Sequence, residues 1–298
     1  MPSEVMCQVA ERIRQQREAT GGGRPDIDEL RRSMESMAPP VPADVRAEQV
    51  EVEGIHSEWV LAPDADPDRR ILYLHGGTYT AGSPLTHRRL AADVGRAAAC
   101  AVLVIDYRLA PEDPYPAALN DARAAYRWLK RRGPTGRGEA RSLFIVGDAA
   151  GGGLALATMM RLRDAGDRQP NAAATISAWT DLALSGDSWK SRAELDPVLQ
   201  RDVLVDSPYA GSRDPRQPGI SPLYGDFRGL PPLLLQVGDH EVLLDDSVRV
   251  AEHAREAGVR VTLEVEPEAF HVYQYFAAMI PEGRDAIDRI GAFLKQYG

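Results

Sequence analysis

Between residues 49 and 266 the chain carries eight short apolar runs: QVEVEG, SEWVLA, RILYLH, AVLVIDY, LFIVGD, AATISAW, LLLQVGD and VTLEVE. The first two alternate apolar and polar positions, as strands with one solvated face do. Several of the others are apolar almost throughout, as parallel strands covered on both faces are. The intervening segments supply the covering helices. Ala118, Ala122, Ala125, Tyr126 and Leu129 share one helical face, and Ile287, Ile290, Phe293, Leu294 and Tyr297 share another near the end of the chain. The pattern predicts an α/β fold: an eight-stranded, mostly parallel sheet flanked by helices, with its first strands forming an antiparallel edge.

Two helices are expected ahead of the first strand. In the second, PDIDELRRSMESM, Asp26 and Glu29 form an N-terminal capping pair while Ile27, Leu30, Met34 and Met37 share a face; a glycine run at 21–23 separates the two helices. Residues 185–222 fit no strand and carry Trp189, Pro197, Pro208, Pro215 and Pro218 among short helical stretches. The expected organisation is N-terminal cap helices over 1–45 and a main domain over 46–298, into which 185–222 are inserted as the second part of the cap. The polar stretch RRGPTGRGEAR at 131–141 reads as a surface loop.

Composition narrows the partners. Forty-four acidic against 35 basic residues give a formal charge of -9, which argues against binding nucleic acid or an anionic membrane surface. The N-terminal stretch has no apolar core of the kind a signal peptide needs, and no run approaches membrane-spanning length. Cys7 and Cys100 are far apart, and no CxxC or CxxH spacing offers a metal site. A reduced, cytoplasmic setting without metal or organic cofactor is expected.

Four short segments carry the chemistry. VGDAAGGG, at 146–153, follows a strand run and opens a small, apolar helix. Gly147, Asp148, Ala149, Ala150 and Gly151 fit the G-x-S-x-G nucleophile elbow of α/β-hydrolases in all but the serine. YLHGGTYTAGS leaves another strand, so that Gly76 and Gly77, with the amide of Ala150, are placed to form an oxyanion hole. QVGDHEVLLDD offers Asp239, Glu241, Asp245 and Asp246, one of which should orient a histidine, and His271 in EPEAFHVYQYF supplies that histidine. Elbow, carboxylate and histidine occur in the order nucleophile, acid, base, each at the carboxyl end of a strand. A phosphate-cradling reading of the glycines is disfavoured, since neither GxGxxG nor GxxxxGK[ST] occurs.

With these segments, DYRLAPEDPYPAALND at 106–121 and SAWTDL at 177–182, the chain resembles the hormone-sensitive-lipase-like family of α/β-hydrolase carboxylesterases from about residue 45 onward. The resemblance implies the α/β-hydrolase fold with a helical cap. It also places Glu241 at the acid position of a stretch that commonly reads D-P-L-x-D. Asp239 is the second choice, and Asp245 is expected to cap the following helix. Thr78 stands where the family often has a third glycine, without removing the backbone donor.

Ala149 is the departure, because a methyl group cannot attack a carbonyl. The expected function is a carboxylic ester hydrolase acting on small hydrophobic esters or lactones through a Ser-His-Glu mechanism. The nucleophile is replaced by alanine here, as is done to hold an unreacted ester, and the chain should be nearly inactive. A natural small-molecule receptor built on the hydrolase fold is the alternative, and a scaffold protein a third reading. Tyr79, Trp179 and Tyr273 are expected to line the substrate pocket, and a homodimer through the sheet edge is plausible from the resemblance.

Overall fold

Each of the eight apolar runs forms a strand of one sheet in the computed structural model, which describes residues 2–19 and 26–298; the glycine run at 21–23 lies outside the described residues. The strands are β1 (Arg46–Val52), β2 (Ile55–Leu61), β3 (Asp66–Leu74), β4 (Cys100–Ile105), β7 (Ser142–Asp148), β8 (Ala172–Ile176), β9 (Leu233–Gly238) and β10 (Val261–Glu266). They lie in the order β1-β2-β4-β3-β7-β8-β9-β10. β2 pairs antiparallel with β1 and β4, and every other pairing is parallel, as the alternation of the first two runs suggested.

The remaining two strands correct one expectation. Within 131–141, β5 (Arg132–Gly133) and β6 (Gly136–Arg137) form a small antiparallel hairpin rather than a plain loop. Beneath it the buried Arg70 guanidinium donates to the carbonyls of Leu129 and Gly138 at 2.9 and 2.8 Å.

The two-residue period of the strands divides the core into two layers. Ile71, Tyr73, Phe144 and Val146 join the apolar faces of α3 (Pro84–Ala98) and α9 (Pro281–Gln296). Leu72, Leu74, Leu143 and Ile145 join α4 (Ala117–Leu129), α5 (Ala150–Asp164) and α8 (Leu244–Glu256). Each such side chain, removed from water, contributes about 1.5–3 kcal/mol toward holding helix on sheet. With both faces covered, the sheet fixes where its carboxyl-terminal loops emerge.

Helices α1 (Glu4–Ala19) and α2 (Ile27–Ser36) precede the sheet. α1 seats Met6 among Ala269, Phe270, Tyr273 and Ile280. Asp26 caps α2, accepting the amides of Asp28 and Glu29 at 3.0 and 3.1 Å. Yet no residue of α2 is fully buried, and Arg31 tethers it by donating to the carbonyl of Thr80 (2.8 Å) and to both carboxylate oxygens of Glu112 (2.7 and 2.8 Å). Residues 185–222 hold only the short helices α6 (Ser188–Ser191) and α7 (Arg201–Leu204), anchored by Trp189, Leu199, Leu204 and Tyr209 in the core. Among the described residues no helix is long and apolar enough to cross a membrane.

Candidate active site

The turn from β7 into α5 is tight because its glycines leave no alternative. A Cβ on Gly147 would strike the backbone of Gly151, and one on Gly151 would strike the carbonyls of Leu74 and His75. Ala149, at the apex, takes φ 48° and ψ -118°, a conformation costing on the order of 1–3 kcal/mol for a residue with a side chain. The surroundings hold it there: its amide donates to Ile176 at 2.9 Å, and its carbonyl accepts the amides of Trp179, Gly152 and Gly153 at 2.8, 3.1 and 3.2 Å. Strain borne by an alanine gains nothing for packing; it presents the residue's side chain above the sheet.

Facing that methyl is the loop after β3. A Cβ on Gly76 would come within 3.1 Å of the Ala149 Cβ, so the backbone at 76 runs directly beside it. The loop is pinned from below by His75, whose ring stacks on Tyr107 with centroids 4.2 Å apart and whose carbonyl accepts the Tyr107 hydroxyl at 2.7 Å. Burial lowers the His75 pKa to about 3, with the neighbouring His87 adding to the effect, so His75 is a neutral packing group. Ala150 opens α5, and Ala149, at the cap position, gives that helix no side-chain hydrogen bond. The first amides of a helix lack intrahelical partners and carry its positive dipole end.

Of the carboxylates in the loop after β9, Glu241 is the one that meets the imidazole: its Oε2 lies 2.9 Å from His271 Nδ1. The carboxylate is fully buried, and its Oε1 accepts the Ser177 hydroxyl at 2.7 Å and the Gly238 amide at 2.5 Å. Such bonds offset the cost of removing a charge from water. Burial alone would lower the His271 pKa, but the hydrogen bond and charge of Glu241, followed by the charges of Asp196 and Asp148, raise it.

The other acidic residues of that loop are occupied elsewhere. Asp239 pairs with Arg192 at 3.1 Å. Asp245 does not cap α8, whose cap position is Leu243; it sits in the first turn and accepts the amide of Ser188 at 2.9 Å. Asp246 is buried, accepts the amides of Thr180 and Asp181 at 2.7 and 2.8 Å, and is pushed by burial up to about 8.

Ser177 joins the parts. It follows Ile176, which accepts the Ala149 amide, and its hydroxyl oxygen donates to Glu241 and accepts the Val272 amide at 3.0 Å. Ala149 and Val272 belong to one apolar cluster. The sequence offered Ser177 only as the first residue of SAWTDL, in a segment apart from the elbow, and gave no sign of its bond to Glu241, nor of the buried contacts of Asp148 with the Tyr73 hydroxyl (2.8 Å) and His87 Nε2 (3.3 Å). No local motif marks these partners; the one available signal is a polar residue at the boundary of a fully apolar run.

A crevice of about 10 Å³, room for little more than one water, lies between α2, the glycine loop and the inserted stretch, lined by Ile27 and Leu30, Thr78 and Thr80, Trp179, and Val203, Ser207 and Pro208; residues 149, 241 and 271 are not in its lining. Trp179 lines this crevice. Tyr79 is not in the lining: it is buried, stacked on Tyr209 with ring centroids 3.7 Å apart. Tyr273 is also displaced from its expected place, packing with Met6, Ile280 and Ala286, because the face it presents is covered by α1. No group of three or more His, Cys, Asp or Glu side chains suited to a metal ion occurs among the described residues.

Comparison with known proteins gives a consistent picture. A family profile described as alpha/beta hydrolase fold matches residues 71–275. An acetyl-hydrolase of Streptomyces hygroscopicus is 47% identical over 242 residues, covering 80% of this chain and 79% of that protein. An esterase of Acinetobacter venetianus is 34% identical over 273 residues, covering 91% and 87%. Among solved structures, an esterase from the bacterial hormone-sensitive lipase family superposes with a TM-score of 0.92 at 42% identity, covering 100% of this chain and 99% of the other. EstE5, in a crystal soaked with p-nitrophenyl butyrate, gives 0.91 at 40% identity, covering 99% of both chains.

Proposed function

Because the chain belongs to the α/β-hydrolase-fold family, on its hormone-sensitive-lipase branch, we propose that it is a serine-type carboxylic ester hydrolase whose nucleophile position, 149, is occupied by alanine. The observation that carries the reading is the Glu241–His271 hydrogen bond, tied through Ser177 to the strand end that holds a strained elbow presenting only a methyl group. A receptor has no need of a buried carboxylate aligned on an imidazole.

In the serine form the reaction uses these residues as follows. The 149 hydroxyl attacks the ester carbonyl, His271 takes its proton, and Glu241 fixes the ring and stabilises its charge. The amides of Gly76, Gly77 and Ala150 receive the negative charge that develops on the carbonyl oxygen, each such donor being worth about 2.7–4 kcal/mol. His271 returns the proton to the leaving alcohol, and water releases the acid by the same path in reverse. α1, α2 and residues 185–222 form the cap, whose Ile27, Leu30 and Val203 offer apolar surface suited to small hydrophobic esters or lactones. The names of the relatives, an acetyl-hydrolase and an esterase, support ester hydrolysis.

One observation favours a second reading, binding without turnover: Ala149 itself. Restoring the hydroxyl decides between them. Ala149→Ser should raise hydrolysis of short-chain p-nitrophenyl esters by on the order of a million-fold over the alanine chain. A folded serine variant that turns over no ester would leave the receptor reading in its place.

A further inference from the structure

Asp196 lies in the inserted stretch and is fully buried. Its carboxylate is held by backbone alone: Oδ1 accepts the amides of Val198 and Leu199 at 2.8 and 3.0 Å, and Oδ2 accepts the amide of Val242 at 3.0 Å. Val242 is the residue after Glu241, so one carboxylate joins the inserted stretch to the loop that carries the acid. Its backbone carbonyl in turn accepts Arg17 of α1 at 2.9 Å. Three separate segments therefore meet at one residue next to the Glu241–His271 pair.

Burying a charge is expensive, and a neutral amide oxygen would accept the same backbone bonds more cheaply. A charged residue at this position calls for a reason beyond tethering. The charged groups that raise the His271 pKa include Glu241, Asp196 and Asp148. Those acting on the Asp196 carboxyl include His271 and Glu241, and burial pushes it up to about 6.

We propose that Asp196 is a positioning residue for the Glu241–His271 pair, locking the Glu241 loop to the inserted stretch and supplying a second buried negative charge that favours the imidazolium. The proposal rests on the reading of His271 as the general base. It adds to that reading a residue from outside the β-sheet scaffold, so that the cap and the proton-transfer machinery are not independent parts.

The first test needs no substitution. With labelled histidine rings and aspartate carboxyls in the alanine chain, NMR titration should show the Asp196 carboxyl titrating near 6, and the His271 ring should register that inflection beside its own. A His271 signal that passes through the Asp196 titration unchanged overturns the proposal. The second test is Asp196→Asn, which keeps an acceptor oxygen and removes the charge. It should lower the His271 pKa. In the Ala149→Ser background it should also move the acid limb of kcat/KM downward and reduce kcat by up to about 100-fold with little change in KM. A variant that only loses thermal stability, with the His271 titration unmoved, shows a purely structural role and overturns the proposal. If the asparagine variant does not fold, the titration of the unsubstituted chain decides. Failure of Ala149→Ser to hydrolyse esters would strike the catalytic reading, whereas the coupling measured in the alanine chain still reports on Asp196.

Discussion

Glu241 reaches His271 across 2.9 Å with one carboxylate oxygen while its other oxygen is held by Ser177 at 2.7 Å. The acid is thus fixed from two sides, and the imidazole it orients has its Nδ1 committed to the carboxylate, so that Nε2 is the nitrogen proposed to move the proton. Several consequences can be measured.

The raised His271 pKa sets the pH dependence of the serine form. The ring must be neutral to take a proton, so the activity of Ala149→Ser should rise through a midpoint above the ordinary 6.5. Adding Glu241→Gln removes the largest influence raising that pKa and leaves burial, which lowers it. The midpoint should move to lower pH while kcat falls by roughly 10⁴-fold, the loss expected when the orienting carboxylate is made neutral. A pH–rate profile of kcat/KM for the two proteins checks both effects; a midpoint that stays put would separate Glu241 from the titration.

Ser177→Ala should destabilise the fold in the alanine chain itself. The substitution strips a donor from the buried Glu241 and an acceptor from the buried Val272 amide. Leaving such groups unpaired costs about 1–3 kcal/mol. Urea unfolding followed by circular dichroism measures the loss, and an unchanged midpoint would show that neither bond matters.

Arg31→Ala tests how α2 is held over the crevice. The Arg31–Glu112 pair is partly exposed, with Glu112 at 57% side-chain accessibility, so it is worth at most about 1 kcal/mol. The melting temperature should therefore change little. Since Ile27 and Leu30 of the same helix line the crevice, KM for esters in the Ala149→Ser background should rise several-fold with kcat nearly unchanged. High salt, which screens the pair, should reproduce part of the rise. A large drop in melting temperature would instead make Arg31 a folding residue.

Asp246 makes stability fall as pH rises. Its folded-state pKa is raised from 3.8 to about 8 by burial, so between those values the folded chain keeps a proton that the unfolded chain gives up. By linkage, stability from this group is full below the unfolded value and is lost progressively until pH passes the folded value. Asp246→Asn removes the titration. Thermal melts on either side of the window should show a smaller decline in the variant than in the parent, and identical declines would place the titration elsewhere.

Much of the molecule could be read from local pattern. The eight runs became the eight sheet strands because two-residue alternation and continuous apolarity report directly how many faces of a strand are covered. The elbow at 147–151 was legible for a related reason, since two crowded backbone approaches there admit only glycine. The pocket was less legible. Tyr79 and Tyr273 have the chemistry of lining residues, and whether an aromatic side chain faces a cleft or a core depends on what packs over it, here Tyr209 and α1.

By itself the sequence determined the layered α/β architecture, the sharp turn that displays residue 149, and the chain order of elbow, acid and histidine, because each depends on neighbours within a few residues. The resemblance had already singled out Glu241, and the tertiary structure gives its contact with His271; only the tertiary structure decided that Ser177 ties Glu241 to Val272 and that Asp196 joins the inserted stretch to the acid loop. Those contacts span 30 to 95 residues of chain. Their partners are chosen by where the packed sheet delivers its loops, which no local spacing encodes.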